Sequence, residues 1–161
     1  MKPKIVPFLW FNDNLEEAVE FYKGIFKNIQ VMNMKRSGDE GPGPKGTVFS
    51  ATFEIEGQTF YAINGGSRFQ FSQAVSFFVN CDSQDEIDHL WERLSEGGEK
   101  QMCGWLKDKF GLSWQIVPGN LGALLGHFDT EKSMAVMQAM LQMDKLDMNV
   151  LEAAFNTNGD L

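Results

Sequence analysis

The fold is decided by residues 75–94, which read VSFFVNCDSQDEIDHLWERL. The stretch opens with aromatic and β-branched residues typical of a strand, Val75–Cys81. Asp82 and Ser83 follow, and side chains of this kind can cap the first turn of a helix. The apolar residues beyond them recur at i, i+3, i+4 and i+7, the spacing of one helix face: Ile87, Leu90, Trp91 and Leu94. The stretch therefore predicts a strand that leads directly into an amphipathic helix.

The same order of elements occurs earlier in the chain. Ile5–Phe11 is apolar and aromatic, and the turn-forming residues Asn12-Asp13-Asn14 end it. A helix face with the same spacing follows: Leu15, Ala18, Val19 and Tyr22. Three strand-like segments come next, the last two joined as a hairpin through Glu56-Gly57: Ile29–Met34, Val48–Ile55 and Thr59–Ile63.

Strands also follow the second helix, which Gly97-Gly98 ends. Gln101–Lys107 and Leu112–Val117 are strand-like, and a weak extra strand lies near Glu99. The chain therefore reads as βαβββ twice, and this repetition is the main structural signal in the sequence.

We predict an α+β fold in which two βαβββ modules, at about 3–66 and 72–118, form a domain of residues 1–118. Residues 119–161 lie outside the repeat and are predicted to be a helical extension. Asp129 and Thr130 can cap one helix there, and Asp147 can begin a last one.

Bulk composition excludes several classes of function. The formal charge is −8, which disfavours nucleic acid and anionic lipid as partners because both require clustered Lys and Arg. The apolar runs, among them residues 8–11 and 123–125, are far too short to span a bilayer. Cys81 and Cys103 have no framework spacing, so reduced thiols are expected. We predict a cytoplasmic protein with no membrane or nucleic-acid partner.

Three short motifs resemble a known family. Leu9-Trp10-Phe11, followed by Glu16-Glu17-Ala18 and Phe21-Tyr22, resembles the first strand and helix of PhnB-like proteins. Residues 108–116, DKFGLSWQI, resemble the closing motif D-P-x-G-x-x-x-E-L of the vicinal oxygen chelate (glyoxalase/bleomycin resistance/dioxygenase) superfamily, and residues 103–108, CGWLKD, are similar to the same subgroup. The resemblance covers about residues 3–118. It implies that the two modules form a sheet-lined cup.

Members of this subgroup are often labelled 3-demethylubiquinone-9 3-methyltransferase, and one stretch bears on that label. Residues 41–46, GPGPKG, match G-x-G-x-x-G letter for letter. The motif requires a preceding strand and a following helix, yet strand-like residues come next. We therefore predict a surface loop, and a cover over the cup is the alternative interpretation.

The resemblance also implies where a metal would be held. Superfamily enzymes use one ligand from each of four strands, and the corresponding positions here are Val6 or Pro7, Ala62 or Asn64, Ala74 or Ser76, and Gln115. Val, Pro and Ala carry no donor atom, and two neutral amides do not hold a catalytic divalent ion. We predict no metal and no cofactor. His89 is assigned to a solvated helix face, and His127 to a turn or packing position.

Strand alternation predicts the lining of the cup, because successive side chains point to opposite faces. Phe8 and Trp10 would face inward, as would Ser76, Phe78 and Asn80 on the fifth strand. On the last two strands the inward residues would be Cys103, Trp105, Lys107, Ser113, Gln115 and Val117. The predicted ligand-binding residues are Phe8, Trp10, Asn64, Ser76, Cys103, Trp105, Lys107 and Gln115.

Alternatives remain for several of these residues. Trp10 and Trp105 can pack in the core instead of stacking on a ligand. Lys107 can be a solvent-exposed cation at the rim, and Cys103 can be an inert small hydrophobe.

The composition of the predicted lining matches a small-molecule pocket. We therefore predict a metal-free binding protein for an aromatic or anionic ligand. A metal-free enzyme acting in the same cup is the alternative, and a metal-dependent lyase or dioxygenase, or a methyltransferase, comes after it. A homodimer is also predicted, because Met134, Met137 and Met140 give a tail helix an apolar stripe. The alternative is that this stripe packs on its own cup.

Overall fold

The computed structural model describes residues 2–157, and the first of its two sheets contains four strands. β1 (Phe8–Phe11), β2 (Ile29–Arg36), β3 (Val48–Ile55) and β4 (Gln58–Asn64) are arranged in the order β1-β4-β3-β2. β1 runs parallel to β4, whereas the other neighbours are antiparallel. This mixed order arises because a helix, α1 (Leu15–Lys23), carries the chain from β1 to β2.

One face of this sheet packs against α1. The apolar stripe predicted for the helix is buried, and so are the helix-facing side chains of the strands: Leu9, Phe11, Ala51, Phe53, Phe60 and Ala62. Phe53 and Phe60 lie opposite each other in the register, with their rings stacked 5.5 Å apart. The burial of these large side chains supplies most of the favourable free energy of this unit.

The second sheet repeats the arrangement. β5 (Ser76–Cys81), β6 (Glu99–Lys100), β7 (Trp105–Lys107) and β8 (Ser113–Pro118) lie in the order β5-β8-β7-β6, with β5 parallel to β8. α2 (Gln84–Leu94) follows β5, and its first turn is capped by the Ser83 hydroxyl, which accepts from the Glu86 amide. The prediction of βαβββ twice is confirmed, including the weak strand near Glu99.

The segment predicted as one strand, Gln101–Lys107, is divided. Only its last three residues form β7, and a turn precedes them. Cys103 and Gly104 occupy the left-handed region in that turn, with φ of 60° and 81°. The prediction of a continuous strand was wrong, because consecutive left-handed residues cannot continue a β ladder.

The tail forms three helices that pack onto the second sheet. They are α3 (Leu121–Leu125), α4 (Thr130–Met140) and α5 (Met148–Thr157). Their core is shared with β8 and contains Val117, Leu121, Val136, Leu146 and Leu151. The chain divides into two compact units between Phe71 and Ser72, so the tail belongs to the second unit. Residues 1 and 158–161 of the predicted ranges lie outside the described residues.

The glycine-rich stretch lies in the loop that joins β2 to β3. Residues 41–46 are followed by β3 and not by a helix. The prediction of a loop is confirmed, and the strand–turn–helix context of a cofactor-binding glycine motif does not occur at this stretch. Within residues 2–157, no helix is both long enough and apolar enough to cross a bilayer.

Candidate functional site

The face of the second sheet that does not pack against α2, here called the open face, is covered by the tail at Val117 but presents a row of three large side chains. Phe78 on β5 is paired with Gln115 on β8, and Gln115 is paired with Trp105 on β7. Because paired residues in a sheet project from the same face, the amide of Gln115 lies between two aromatic rings. Phe78 is 53% exposed, and Trp105 and Gln115 are half-buried. The row is a partly exposed aromatic surface with a hydrogen-bonding group at its centre.

A second row crosses all four strands beside the first. Ser76, Ser113, Lys107 and Glu99 are paired in turn. The Lys107 ammonium lies 3.4 Å from the Glu99 carboxylate, and both side chains are more than a third exposed. An exposed pair of this kind leaves the Lys107 charge partly offset and accessible to solvent. This supports the interpretation of Lys107 as a rim cation.

Hydrogen bonding links the two rows at one end. The Gln115 side-chain Nε2 donates to the Ser76 hydroxyl at 2.9 Å. The Ser113 hydroxyl is buried and has no hydrogen-bond partner among the described residues. A buried hydroxyl without a partner costs free energy.

The opposite face of this sheet packs against α2. Phe77, Leu106, Trp114 and Ile116 lie on that face, with the last three buried. The Phe77 and Trp114 rings lie 5.3 Å apart. The predicted alternation of side chains between the two faces is therefore present in β5, β7 and β8.

Cys103 is not on the same strand as Trp105. It lies in the left-handed turn before β7, where its amide donates to the Met143 carbonyl at 2.9 Å. Its thiol lies 3.6 Å from the Met140 carbonyl. The prediction that Cys103 lines the cup relies on strand alternation, which does not extend through a turn.

In the first unit, Phe8 lies on the open face of the sheet beside Tyr61. The two residues are paired in the β1–β4 register, with their rings edge to face at 6.5 Å. Phe8 is 59% exposed. Tyr61 is not among the predicted site residues. The parallel register of β1 on β4 places it beside Phe8, and this register does not follow from either segment alone.

Trp10 packs against its own unit. Its indole Nε1 donates to the Gly66 carbonyl at 2.9 Å, and its ring lies edge to face with Phe69 at 5.0 Å. A Cβ added to Gly65 would lie 2.3 Å from the indole ring. The packing alternative is therefore the better description of Trp10, since one ring face is covered by the chain at Gly65.

Asn64 lies on the helix-facing side of β4, paired with the buried Phe11. Its Oδ1 accepts from the Leu15 amide at 2.9 Å, and its Nδ2 donates to the Val48 carbonyl at 3.0 Å. The Asn64 side chain therefore lies against α1 and not in the predicted cup. It accepts from a backbone N–H of the first turn of α1, which has no partner within the helix.

The positions that the resemblance assigns to metal ligands offer few donor atoms. Ala62 is buried on the helix-facing side, and the Asn64 amide is hydrogen-bonded to backbone. The Gln115 amide is hydrogen-bonded to Ser76. Nowhere in residues 2–157 do three or more His, Cys, Asp or Glu side chains converge as a cation site would require. Neutral Ser and Gln donors do not fit a divalent metal.

The remaining polar candidates lie elsewhere. His89 is exposed on α2, and His127 Nδ1 accepts from the Asp129 amide in the loop before α4. Burial raises the pKa of the Cys81 thiol to about 12, and the nearby Glu86 carboxylate acts in the same direction. The thiol is therefore fully protonated near neutral pH, so Cys81 is not a nucleophile.

Two open surface hollows are also present, and neither contains a predicted site residue. The larger, of about 510 Å³, is bordered by Glu92, Arg93 and Lys100, and the smaller by Lys27, Gln30 and Glu54. Both are lined mainly by charged and polar groups, whereas ligand pockets are mostly apolar. The row of Phe78, Gln115 and Trp105 remains the better candidate.

Comparisons with known proteins agree with this architecture. The model of the family 3-demethylubiquinone-9 3-methyltransferase matches residues 3–117. The structure of the PhnB protein from Bacillus cereus is 36% identical over 72% of this chain and 99% of its own, with a TM-score of 0.67. Protein PA1353 from Pseudomonas aeruginosa is 25% identical over 70% of this chain and 95% of its own, with a TM-score of 0.56.

A more distant structure shares the fold. A mutant of the fosfomycin resistance protein FosX from Listeria monocytogenes is 18% identical over 80% of this chain and 99% of its own, with a TM-score of 0.51. No curated protein matches the chain. The family model, the PhnB structure and the twofold βαβββ order together establish that the chain belongs to the 3-demethylubiquinone-9 3-methyltransferase family of PhnB-like proteins.

Proposed function

We propose that the chain is a metal-free binding protein for a small aromatic or anionic molecule, held on the open face of the second sheet. The observation that supports this most directly is the row of Phe78, Gln115 and Trp105. A largely exposed phenylalanine on a sheet face is costly in water, and an aromatic ligand would remove that surface from solvent. The Gln115 amide would fix the ligand's orientation, and Lys107 would attract an anionic group.

Methyl transfer, which the family description names, has less support in these residues. The one glycine-rich stretch leads into β3, so the backbone amides of a helix N-terminus are not presented there to a cofactor. A metal-free reaction on the same face would require a base near Ser76 or Ser113. The two histidines lie instead on α2 and in the loop before α4.

A second copy of the chain is the proposed partner. Met134 and Met137 on α4, and Leu141 directly after it, are exposed at i, i+3 and i+7, whereas Val136 on the other side of the helix is fully buried. Met140, the third member of the predicted stripe, packs partly against the tail core. An apolar stripe of this spacing suits a helix-to-helix contact between copies. The free thiols of Cys81 and Cys103 support a cytoplasmic location as part of the same proposal.

Trp105→Ala is expected to weaken binding of a flat, anionic probe, 8-anilinonaphthalene-1-sulfonate, by about tenfold to a hundredfold, since burial and stacking on one ring contribute about 1–3 kcal/mol. Trp105→Phe should keep most of the affinity. Fluorescence titration measures both. The matched control is Phe128→Ala, which removes an aromatic ring that is 91% exposed in the tail. Unchanged affinity in Trp105→Ala, or an equal loss in the control, would remove this face as the binding site.

A native mass spectrum of the protein purified from its own host is expected to show twice the chain mass with no added metal. It should also show a co-purifying small molecule that is released unchanged on denaturation. The metal part rests on neutral donors at the superfamily positions, and the dimer part rests on the α4 stripe. One zinc, nickel, manganese or iron per chain that persists through dialysis would contradict the first. A monomer at micromolar concentration would contradict the second.

A further inference from the structure

The turn immediately before Trp105 is held by the C-terminal tail. The Cys103 amide donates to the Met143 carbonyl at 2.9 Å, and the Gly104 amide donates to the Asp144 carbonyl at 2.7 Å. Cys103 has a positive φ, which a residue with a side chain adopts at a cost and keeps only where its surroundings hold it. The two tail carbonyls provide that restraint, although they lie about forty residues further along the chain.

The tail segment is itself fixed to α2 by one side chain. Gln84 Oε1 accepts from the Met148 amide at 2.8 Å, and Gln84 Nε2 donates to the Leu146 carbonyl at 3.1 Å. Lys145 adds an ion pair with Asp88 at 3.0 Å. Gln84 therefore uses both ends of its amide to hold the backbone between α4 and α5. It is the first residue of α2, a helix that is anchored to the sheet by its buried stripe.

Packing connects the two sets of contacts. Leu146 is fully buried. A Cβ added to Gly104 would lie 3.1 Å from its side chain, so the tail sits directly on the turn. Trp105 follows Gly104 and pairs with Gln115 in the sheet register. Movement of residues 143–148 would consequently move the backbone from which Trp105 projects.

We propose that Gln84 is a positioning residue for the ligand-binding face, acting through residues 143–148 and the Cys103-Gly104 turn on Trp105. The proposal rests on the proposed function, because it assigns Gln84 a role in holding the ring that the ligand contacts. Gln84 does not touch the ligand. In this proposal the tail packs on the second sheet and also positions Trp105 for binding.

The test compares Gln84→Ala with Gln138→Ala, which removes an exposed glutamine from α4. Amide hydrogen exchange followed by NMR should be at least tenfold faster at Cys103 and Gly104 in Gln84→Ala, whereas the amides of β5 should exchange as in the unaltered protein. Binding of 8-anilinonaphthalene-1-sulfonate should weaken by about threefold to tenfold, which corresponds to about 0.6–1.4 kcal/mol. Gln138→Ala should change neither measurement.

The possible outcomes separate the role of Gln84 from the proposed function. If Cys103 and Gly104 exchange no faster in Gln84→Ala, or if the β5 amides speed up equally, Gln84 has only a general structural role and the proposal is overturned. If Trp105→Ala leaves probe binding unchanged, the proposed function fails, which is a separate result. If Gln84→Ala does not unfold cooperatively, Gln84→Glu replaces it: the carboxylate still accepts from Met148 but cannot donate to Leu146, and the same local increase in exchange is expected.

Discussion

Asp108→Ala is expected to lower the free energy of unfolding by about 3–5 kcal/mol, because three donors lose a charged acceptor at once. Asp108 is 2% exposed. Its Oδ1 accepts from the amides of Phe110 and Leu112 at 2.9 and 3.0 Å, and its Oδ2 accepts from the Trp114 indole at 3.0 Å. The carboxylate therefore organises the whole connection between β7 and β8, which carry Trp105 and Gln115.

Urea denaturation of a matched pair of variants separates this role from a general effect of charge. Asp108→Asn should keep an acceptor for the two backbone amides but place an N–H group against the indole, so about 1–3 kcal/mol should be lost. Asp85→Asn alters an exposed carboxylate in the first turn of α2 and should change stability by no more than about 0.5–1 kcal/mol. Equal losses in Asp108→Asn and Asp85→Asn would contradict the assignment of the buried network.

Much of the fold was predictable because the two relevant periodicities are local. The stripe from Ile87 to Leu94 and the alternation in β5 and β8 each follow from the geometry of a single element. The order of the sheets follows from repeating one strand–helix–strand unit. The aromatic row was predictable for the same reason, since period-2 alternation placed Phe78, Trp105 and Gln115 on one face.

Three of the predicted site residues depend on contacts between distant parts of the sequence. Cys103 was assigned by alternation, but tail carbonyls hold it in a left-handed turn. Asn64 was assigned as an anchor, yet its amide satisfies backbone groups of α1 and β3. Trp10 is covered by the chain at Gly65. None of these interactions can be predicted from the hydrophobic pattern of the segment that contains the residue.

One signal was present near the turn and has a physical meaning. An isolated glycine within an apparent strand indicates an irregularity or a close approach of backbone. Gly104 occupies such a position in the segment predicted as Gln101–Lys107. Its left-handed φ and its neighbours in β8 and the tail explain why only glycine fits there.

Gly104→Ala is therefore expected to destabilise the second unit by about 2–5 kcal/mol, the sum of a left-handed alanine and an overpacked contact. The added Cβ would lie 2.7 Å from the Ile116 carbonyl oxygen, which is backbone and cannot rotate away. Gly122→Ala in α3 provides the control, since among the described residues its added Cβ would meet nothing within 4 Å beyond its chain neighbours and its own helix backbone, and alanine favours a helix by up to about 1 kcal/mol. Urea denaturation should thus give changes of opposite sign for two chemically identical substitutions. If Gly104→Ala is as stable as Gly122→Ala, the turn is not held between β8 and Leu146, and the path from the tail to Trp105 is lost with it.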